Sequence, residues 1–187
     1  TTVAPVGQLD VSDLLADRQL RGPEFCEALT ERIDGFLAGV FAAAEAPEGT
    51  ALVAVGGYGR REQCPGSDVD VVLVHRPDTD VREVAQRIWY PLWDAGLKLG
   101  HQVGTVAQLL EVATDSLETA TSLLAARPVA GDGELAERLA SAALQQWVSR
   151  SKHHLDRMNA SVAERHARFG EVAFLLEPDL KEARGGL

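Results

Sequence analysis

Between Ala51 and Val74 the chain reads ALVAVGGYGRREQCPGSDVDVVLV, two Val-rich apolar runs separated by a glycine-rich, charged stretch. Ala51 to Val55 is continuously apolar, the pattern of a strand buried on both faces, and Val69 to Val74 repeats it. Gly56 and Gly57 end the first run at once. Lacking a Cβ, glycine lets the backbone turn sharply and lets a ligand approach the main chain. Asp68 and Asp70 open the second run two residues apart. Strand side chains at i and i+2 share a face, so the spacing puts both carboxylates on one side and Val69 and Val71 on the other. Two carboxylates held that close repel each other and call for a cation.

The simplest cation is Mg²⁺, with Mn²⁺ the alternative: a hard ion that takes a few carboxylate oxygens and fills its shell with waters and substrate phosphates. A nucleoside triphosphate supplies those phosphates. Amides of Gly56 and Gly57 are placed to hold its tail, while Asp68 and Asp70 are the candidate catalytic and metal-binding pair. The chemistry expected of such a set is nucleotidyl transfer with loss of pyrophosphate.

Charge and composition narrow the partners. The 187 residues, 45% of them hydrophobic, suffice for one domain with a core and a helical extension. A formal charge of −10 argues against extended contact with nucleic acid, which needs a basic surface. A single triphosphate needs only local positive groups, for which Arg60, Arg61, Lys98, Lys181 and Arg184 are available. No apolar run approaches the roughly 20 residues of a membrane span, and the N-terminus lacks a signal-peptide layout, so the chain reads as cytoplasmic with no membrane partner. Cys26 and Cys64 lie far apart in sequence without metal spacing and read as ordinary thiols.

Residues 1 to 8 show no periodicity and are expected to fray. Apolar spacings of three and four mark helices over Leu9–Leu20 and Pro23–Ala44, the second closed by Pro47-Glu48-Gly49. A short helix is expected over Gly59–Gln63, stopped by Pro65-Gly66. The Pro77-Asp78-Thr79-Asp80 turn launches a helix through Trp93 that Gly96 ends. Leu97 to Val106 reads as a third strand, and the short connections imply a small mixed sheet flanked by helices. The remainder reads as helical: Val106–Ala113, Ser116–Ala126, Glu134–Ser149 and Lys152–Arg168. Trp89, Trp93 and Trp147 fall at apolar helix positions expected in the core. The organisation is thus α+β, with an N-terminal helical extension over 1–48, a core over 49–130 and a C-terminal helical segment over 131–187.

Individual side chains carry alternatives. Ser67 either caps its turn or touches a phosphate. Arg60 either meets a phosphate or pairs with Glu62, and Lys181 either meets the nucleotide or is solvated. None of the five histidines forms a His-Asp dyad, so metal-dependent hydrolysis is not encoded.

A hydrophobic residue, Gly56-Gly57, ten intervening residues and Asp68-Val69-Asp70-Val71 resemble the signature of the DNA polymerase β-type nucleotidyltransferase superfamily. Gly56-Gly57-Tyr58-Gly59-Arg60, Glu62, Pro65 and Ser67–Asp70 are similar to the N-terminal domain of the bacterial PII uridylyltransferase/uridylyl-removing family. Glu177–Glu182 and Gly185-Gly186-Leu187 resemble the segment closing that domain, and Trp93–Leu97, Gly100-His101 and Ala130-Gly131-Asp132 agree more loosely. The resemblance implies a polymerase β-like fold and transfer of UMP from UTP, or AMP from ATP, to a tyrosine of the trimeric PII protein that reports nitrogen status. It also implies that the chain is a piece of a longer protein whose phosphohydrolase and sensor domains lie elsewhere. In this superfamily a third carboxylate usually comes from a neighbouring strand. Leu97 to Val106 holds none, so either two suffice or a third arrives from elsewhere, Asp115 or Glu118. Two other readings stay open: a nucleotidyltransferase of the type linked to CBS or cyclic-nucleotide-binding domains, which Arg61-Glu62-Gln63 favours, and a non-catalytic nucleotide-sensing module.

Overall fold

Both Val-rich runs form strands in the structure, a computed structural model that describes residues 9–180 and 182–185. Residues 1–8 and Lys181, each the subject of an expectation above, lie outside the described residues. The chain divides into two units, Thr1–Gln145 and Gln146–Leu187.

The first unit opens with a short helix, α1 (Ser12–Ala16), and a long one, α2 (Gly22–Ala43), before the first strand β1 (Thr50–Ala54). A single helical turn, α3 (Gly56–Gly59), follows at once, then β2 (Val69–His75) and α4 (Arg82–Asp94). Next come β3 (Leu99–Gly104), α5 (Val106–Asp115), α6 (Leu117–Leu123) and β4 (Arg127–Gly131), and α7 (Gly133–Ser149) carries the chain onward. The sheet order is β3-β2-β1-β4, with β1 antiparallel to both neighbours and β3 parallel to β2. The fold is therefore α+β with a four-stranded mixed sheet, as the short connections predict.

Register explains why the runs carry so much Val. Leu52 pairs with Leu73 and Ala54 with Val71, and this face packs on Leu29, Ile33, Leu37 and Val40 of α2 and on Val84, Ile88, Trp89 and Leu92 of α4. Alternation along β2 sends Asp70, Val72 and Val74 the other way. There α5 and α6 pack together and α6 meets α3. Every residue of β1 is buried, which requires apolar side chains on both faces. Thr105 and Gln108 form a reciprocal capping box at the start of α5, and Gly96, at φ +77°, ends the turn after α4.

Four expectations are corrected. The N-terminal helix is only Ser12–Ala16, because the chain is already extended at Asp17, whose carboxylate accepts the Gln19 N–H. The short helix expected over Gly59–Gln63 begins earlier, on the glycines themselves, and has ended by Arg61, which sits at φ +62°. Residues 127–131 form an edge strand that Pro128 and the lack of alternation concealed; an edge tolerates proline, and a register shift lies opposite Leu52/Val53. Trp89 is buried as expected, but Trp93 is 45% exposed, meeting Tyr90 and His101 edge-on at 5.6 Å each.

Within the second unit the main element is the helix α8 (Ser151–Phe169), and the His154 ring stacks flat on Trp147 with centroids 4.6 Å apart. Glu171 bridges to Arg184, and Arg165 reaches Glu182 at 3.4 Å. Among the described residues no helix is long and apolar enough to cross a membrane.

Candidate active site

The apolar run of β1 ends at Val55, still extended, and the next residue, Gly56, takes φ +59°. That left-handed step turns the chain into α3 and is one glycine adopts without strain. It also brings the main chain close to Asp70: a Cβ on Gly56 would stand 3.1 Å from Asp70 Oδ2 and 3.5 Å from Ser122 Oγ. On the other side, β3 places Gly100 opposite Asp70 in the parallel register, where any Cβ would collide with Asp70 Oδ1. The Asp70 carboxylate thus sits in a slot between two glycines.

This slot is part of a cavity of about 400 Å³ whose walls include Gly56, Asp70, Gly100, Gln102, Glu118 and Ser122. Arg60, His101, Thr119 and Thr121 also line it. Volumes of a few hundred Å³ suit small-molecule ligands. Glu118 arrives from the first turn of α6, fixed where the Ser116 hydroxyl accepts the Thr119 N–H at 3.1 Å. Gln102 is held from the same helix, its Nε2 lying 3.4 Å from Thr119 Oγ1.

Burial raises the Asp70 carboxyl above its ordinary value, and the negative charges of Asp68 and then Glu118 raise it further. Asp70 therefore feels two further carboxylates at this end of the sheet. Asp68, one residue ahead of β2, is exposed and is not among the residues lining the cavity. Among the described residues no group of three His, Cys, Asp or Glu side chains stands close enough to hold a metal ion. The donor chemistry nonetheless suits a hard divalent ion: the groups are carboxylate oxygens, and their mutual repulsion at Asp70 is what a cation would relieve.

The remaining residues singled out from sequence fall as follows. Arg60 makes the expected pair with Glu62 through Nε at 2.7 Å and also lines the cavity; the pair uses one of five guanidinium donors. Gly57 belongs to α3 but is not among the lining residues. The Ser67 hydroxyl works inside its turn, accepting from Gln63 Nε2 at 2.8 Å and the Cys64 N–H at 3.2 Å and donating to the Cys64 carbonyl at 2.8 Å. Of the two candidates for a third carboxylate, Glu118 lines the cavity and Asp115 does not.

Two supports had no sequence signal beyond their residue types. Gln63 is buried, and its Nε2 also lies 3.1 Å from the Ser67 carbonyl and 3.3 Å from that of Asp68, which fixes the approach to the carboxylates. Behind α3, Arg127 of β4 grips Asp34 of α2 with both guanidinium arms, at 2.7 and 3.0 Å. Tyr58 donates its hydroxyl to the same Asp34 at 2.5 Å, and Arg127 reaches the Tyr58 and Gly59 carbonyls at 3.4 and 3.3 Å. Burial first and Asp34 second push the Tyr58 hydroxyl far above its usual range, so it stays a donor. This cluster clamps the glycine turn from the side away from the cavity.

Comparison with known proteins bears on the same residues. A family model described as "Putative nucleotidyltransferase DUF294" matches residues 15–118, a span that holds the glycine turn, Asp68, Asp70, Gly100 and Glu118. A curated protein of Streptomyces coelicolor named bifunctional uridylyltransferase/uridylyl-removing enzyme is 48% identical over 177 residues, covering 93% of this chain and 21% of that protein. The same name is carried by relatives from Mycobacterium tuberculosis, 43% identical over 74% of this chain and 18% of theirs, and Nitrosococcus oceani, 40% identical over 75% and 16%. The chain spans about a fifth of the length of these relatives. Among solved structures, a chain from a toxin–antitoxin complex with AMP-PNP aligns over 63% of this chain and 93% of its own, at 12% identity and a TM-score of 0.40.

Proposed function

This chain belongs to the DUF294 nucleotidyltransferase family, and from that premise we propose that it transfers a nucleotide from a triphosphate to a protein hydroxyl at the Asp70 slot. The observation that carries the reading is the carboxylate held between Gly56 and Gly100 on the wall of a ligand-sized cavity, with Asp68 and Glu118 near enough to raise its pKa. UMP from UTP is the group favoured by the names of the relatives; AMP from ATP is the alternative. The acceptor implied by the motif resemblance is a tyrosine of the PII protein, met in the cytoplasm.

In this reading the acceptor hydroxyl oxygen attacks the α-phosphorus, the bond to the β-phosphate oxygen breaks, and pyrophosphate leaves. Asp70, whose burial raises its proton affinity, takes the hydroxyl proton. Gly56 and Gly57 offer main-chain N–H groups to the triphosphate tail, and Arg60 adds a positive group on the cavity wall. Asp68 and Asp70 would hold Mg²⁺ or Mn²⁺, which when bound neutralises phosphate charge. Lys181 remains a candidate contact for the nucleotide. Most of the acceleration in such a site comes from positioning and charge neutralisation.

A second reading, a module that binds nucleotide without transferring it, is favoured by the absence of a ready three-carboxylate metal cluster among the described residues. Titration calorimetry with UTP and ATP, with and without Mg²⁺, followed by a pyrophosphate assay on adding PII, separates the two. Transfer predicts Mg²⁺-dependent binding and pyrophosphate release that requires PII; tight binding with no release when PII is present would support the sensor.

A further inference from the structure

Cys26 and Cys64 are 38 residues apart in sequence, yet their sulfurs lie 3.9 Å apart in the fold. Cys26 is half-buried near the start of α2, whereas Cys64 is exposed in the loop that runs from Arg60 to Asp68. We propose that this thiol pair is an oxidation site, converted by hydrogen peroxide into an intrachain disulfide that fastens the loop to α2.

The surroundings keep the two thiols in register. Arg61 ion-pairs with Glu27, the residue after Cys26, and reaches Glu31 one turn further along α2 at 3.7 Å. These pairs hold the loop beside the helix face that carries Cys26. A disulfide needs its sulfurs about 2.05 Å apart, so closure requires an approach of about 2 Å. Cys64 itself is exposed, which leaves its side chain room to turn toward Cys26 while Gln63 and Arg61 keep the loop in place.

The chemistry balances with one equivalent of peroxide. Cys64, accessible to solvent, attacks a peroxide oxygen as its thiolate; the O–O bond breaks, the sulfur becomes a sulfenic acid, and the departing hydroxide takes up a proton as water. Cys26 then attacks the Cys64 sulfur, an S–S bond forms, and the sulfenic oxygen leaves as a second water. Two thiols are oxidised and one peroxide is reduced. The order follows from exposure, and burial together with the neighbouring Cys64 raises the Cys26 thiol so that it waits as the resolving partner.

The loop also carries structural information toward Asp68. Cys64 exchanges two hydrogen bonds with the Ser67 hydroxyl, and Gln63 ties both Ser67 and Asp68. Oxidation therefore marks the segment that leads into the carboxylate pair. Its covalent readout is independent of whether the chain transfers nucleotides.

The test treats the chain with stoichiometric hydrogen peroxide and follows titratable thiols, intact mass and peptide linkage. Titratable thiols should fall from two to zero, the mass should drop by about 2 Da, a peptide joining positions 26 and 64 should appear, and dithiothreitol should reverse all three. In Cys26→Ser the resolving thiol is gone, so Cys64 should instead gain about 16 Da as a trappable sulfenic acid. Retention of both thiols in the wild-type chain, or products that are oxygen-added or linked between molecules without the 26–64 peptide, would overturn the proposal.

Discussion

Gly100 stands directly opposite Asp70 in the parallel pairing of β2 with β3, and the space its missing side chain leaves is filled by the Asp70 carboxylate. A residue on one strand thus sets where an acid on the next can point. The backbone there is ordinary strand, so the requirement is one of close approach rather than of torsion.

Gly100→Ala should therefore lower nucleotide transfer by about 10²-fold, the usual effect of moving a reacting group by about 1 Å. Its urea midpoint should stay near wild type, because the exposed edge strand can shift slightly. Gly56→Ala should lower transfer too, but with a stability loss of about 1 kcal/mol, since alanine pays for the left-handed φ that glycine adopts freely. Steady-state transfer assays beside urea denaturation distinguish the two glycines.

Asp70 ionises against burial, so its charge destabilises the fold. The raised pKa means that the native state binds more protons than the unfolded chain as pH climbs from the ordinary value of 3.8 through the raised one. Across that window the wild type loses stability as pH increases. Asp70→Asn, which has no charge to bury, should melt higher than wild type at pH 7 and lose that advantage below the ordinary carboxylate range. Thermal melts of the two proteins from pH 3.5 to 7.5 check the sign.

Glu118 is the carboxylate that shares the cavity wall with Asp70. If Mg²⁺ binds beside Asp70 as proposed, Glu118→Gln should weaken its affinity, raising the half-saturating metal concentration for transfer by about 10-fold, as the loss of a supporting charge near a metal site does. Asp115→Asn should leave it within about twofold of wild type, because Asp115 does not line the cavity. Mg²⁺ titrations of the transfer rate separate these outcomes.

The clamp behind the glycine turn should show its weight in stability. Asp34→Asn leaves the Arg127 guanidinium without its carboxylate in a mostly buried position, at a cost of about 3 kcal/mol. Tyr58→Phe removes one hydrogen bond and should cost about 1 kcal/mol. Arg127→Lys keeps the charge but loses the two-armed grip, so it should resemble Asp34→Asn more than wild type. Chemical denaturation of the three variants ranks them.

Much of this site is legible in the sequence, and the limits are physical. The Val-rich runs announce β1 and β2 because burial on both faces leaves little room for polar residues, and the Gly-Gly break and Asp70 mark two sides of the slot, whereas Asp68 lies outside it and nothing local marks Gly100 as its other wall. What sequence leaves open is which distant residues meet there. Asp34 and Arg127 come together across 93 positions, and Cys26 and Cys64 across 38, with nothing local to signal either pair. The edge strand that carries Arg127 is short, contains Pro128 and lacks alternation, so it looks like a loop until β1 pairs with it. Glu118 and Asp115 are three residues apart but fall on different helices: Asp115 closes α5 away from the cavity lining, and Glu118 lies in the first turn of α6 on the cavity wall.

The most direct test is label transfer from UTP to PII by the Asp68→Asn/Asp70→Asn double variant, with circular dichroism to show that it folds. Transfer should fall by at least about 10³-fold, because the double variant lacks the carboxylates that would hold the charge-neutralising metal and take the hydroxyl proton. A folded double variant that labels PII at the wild-type rate would contradict it.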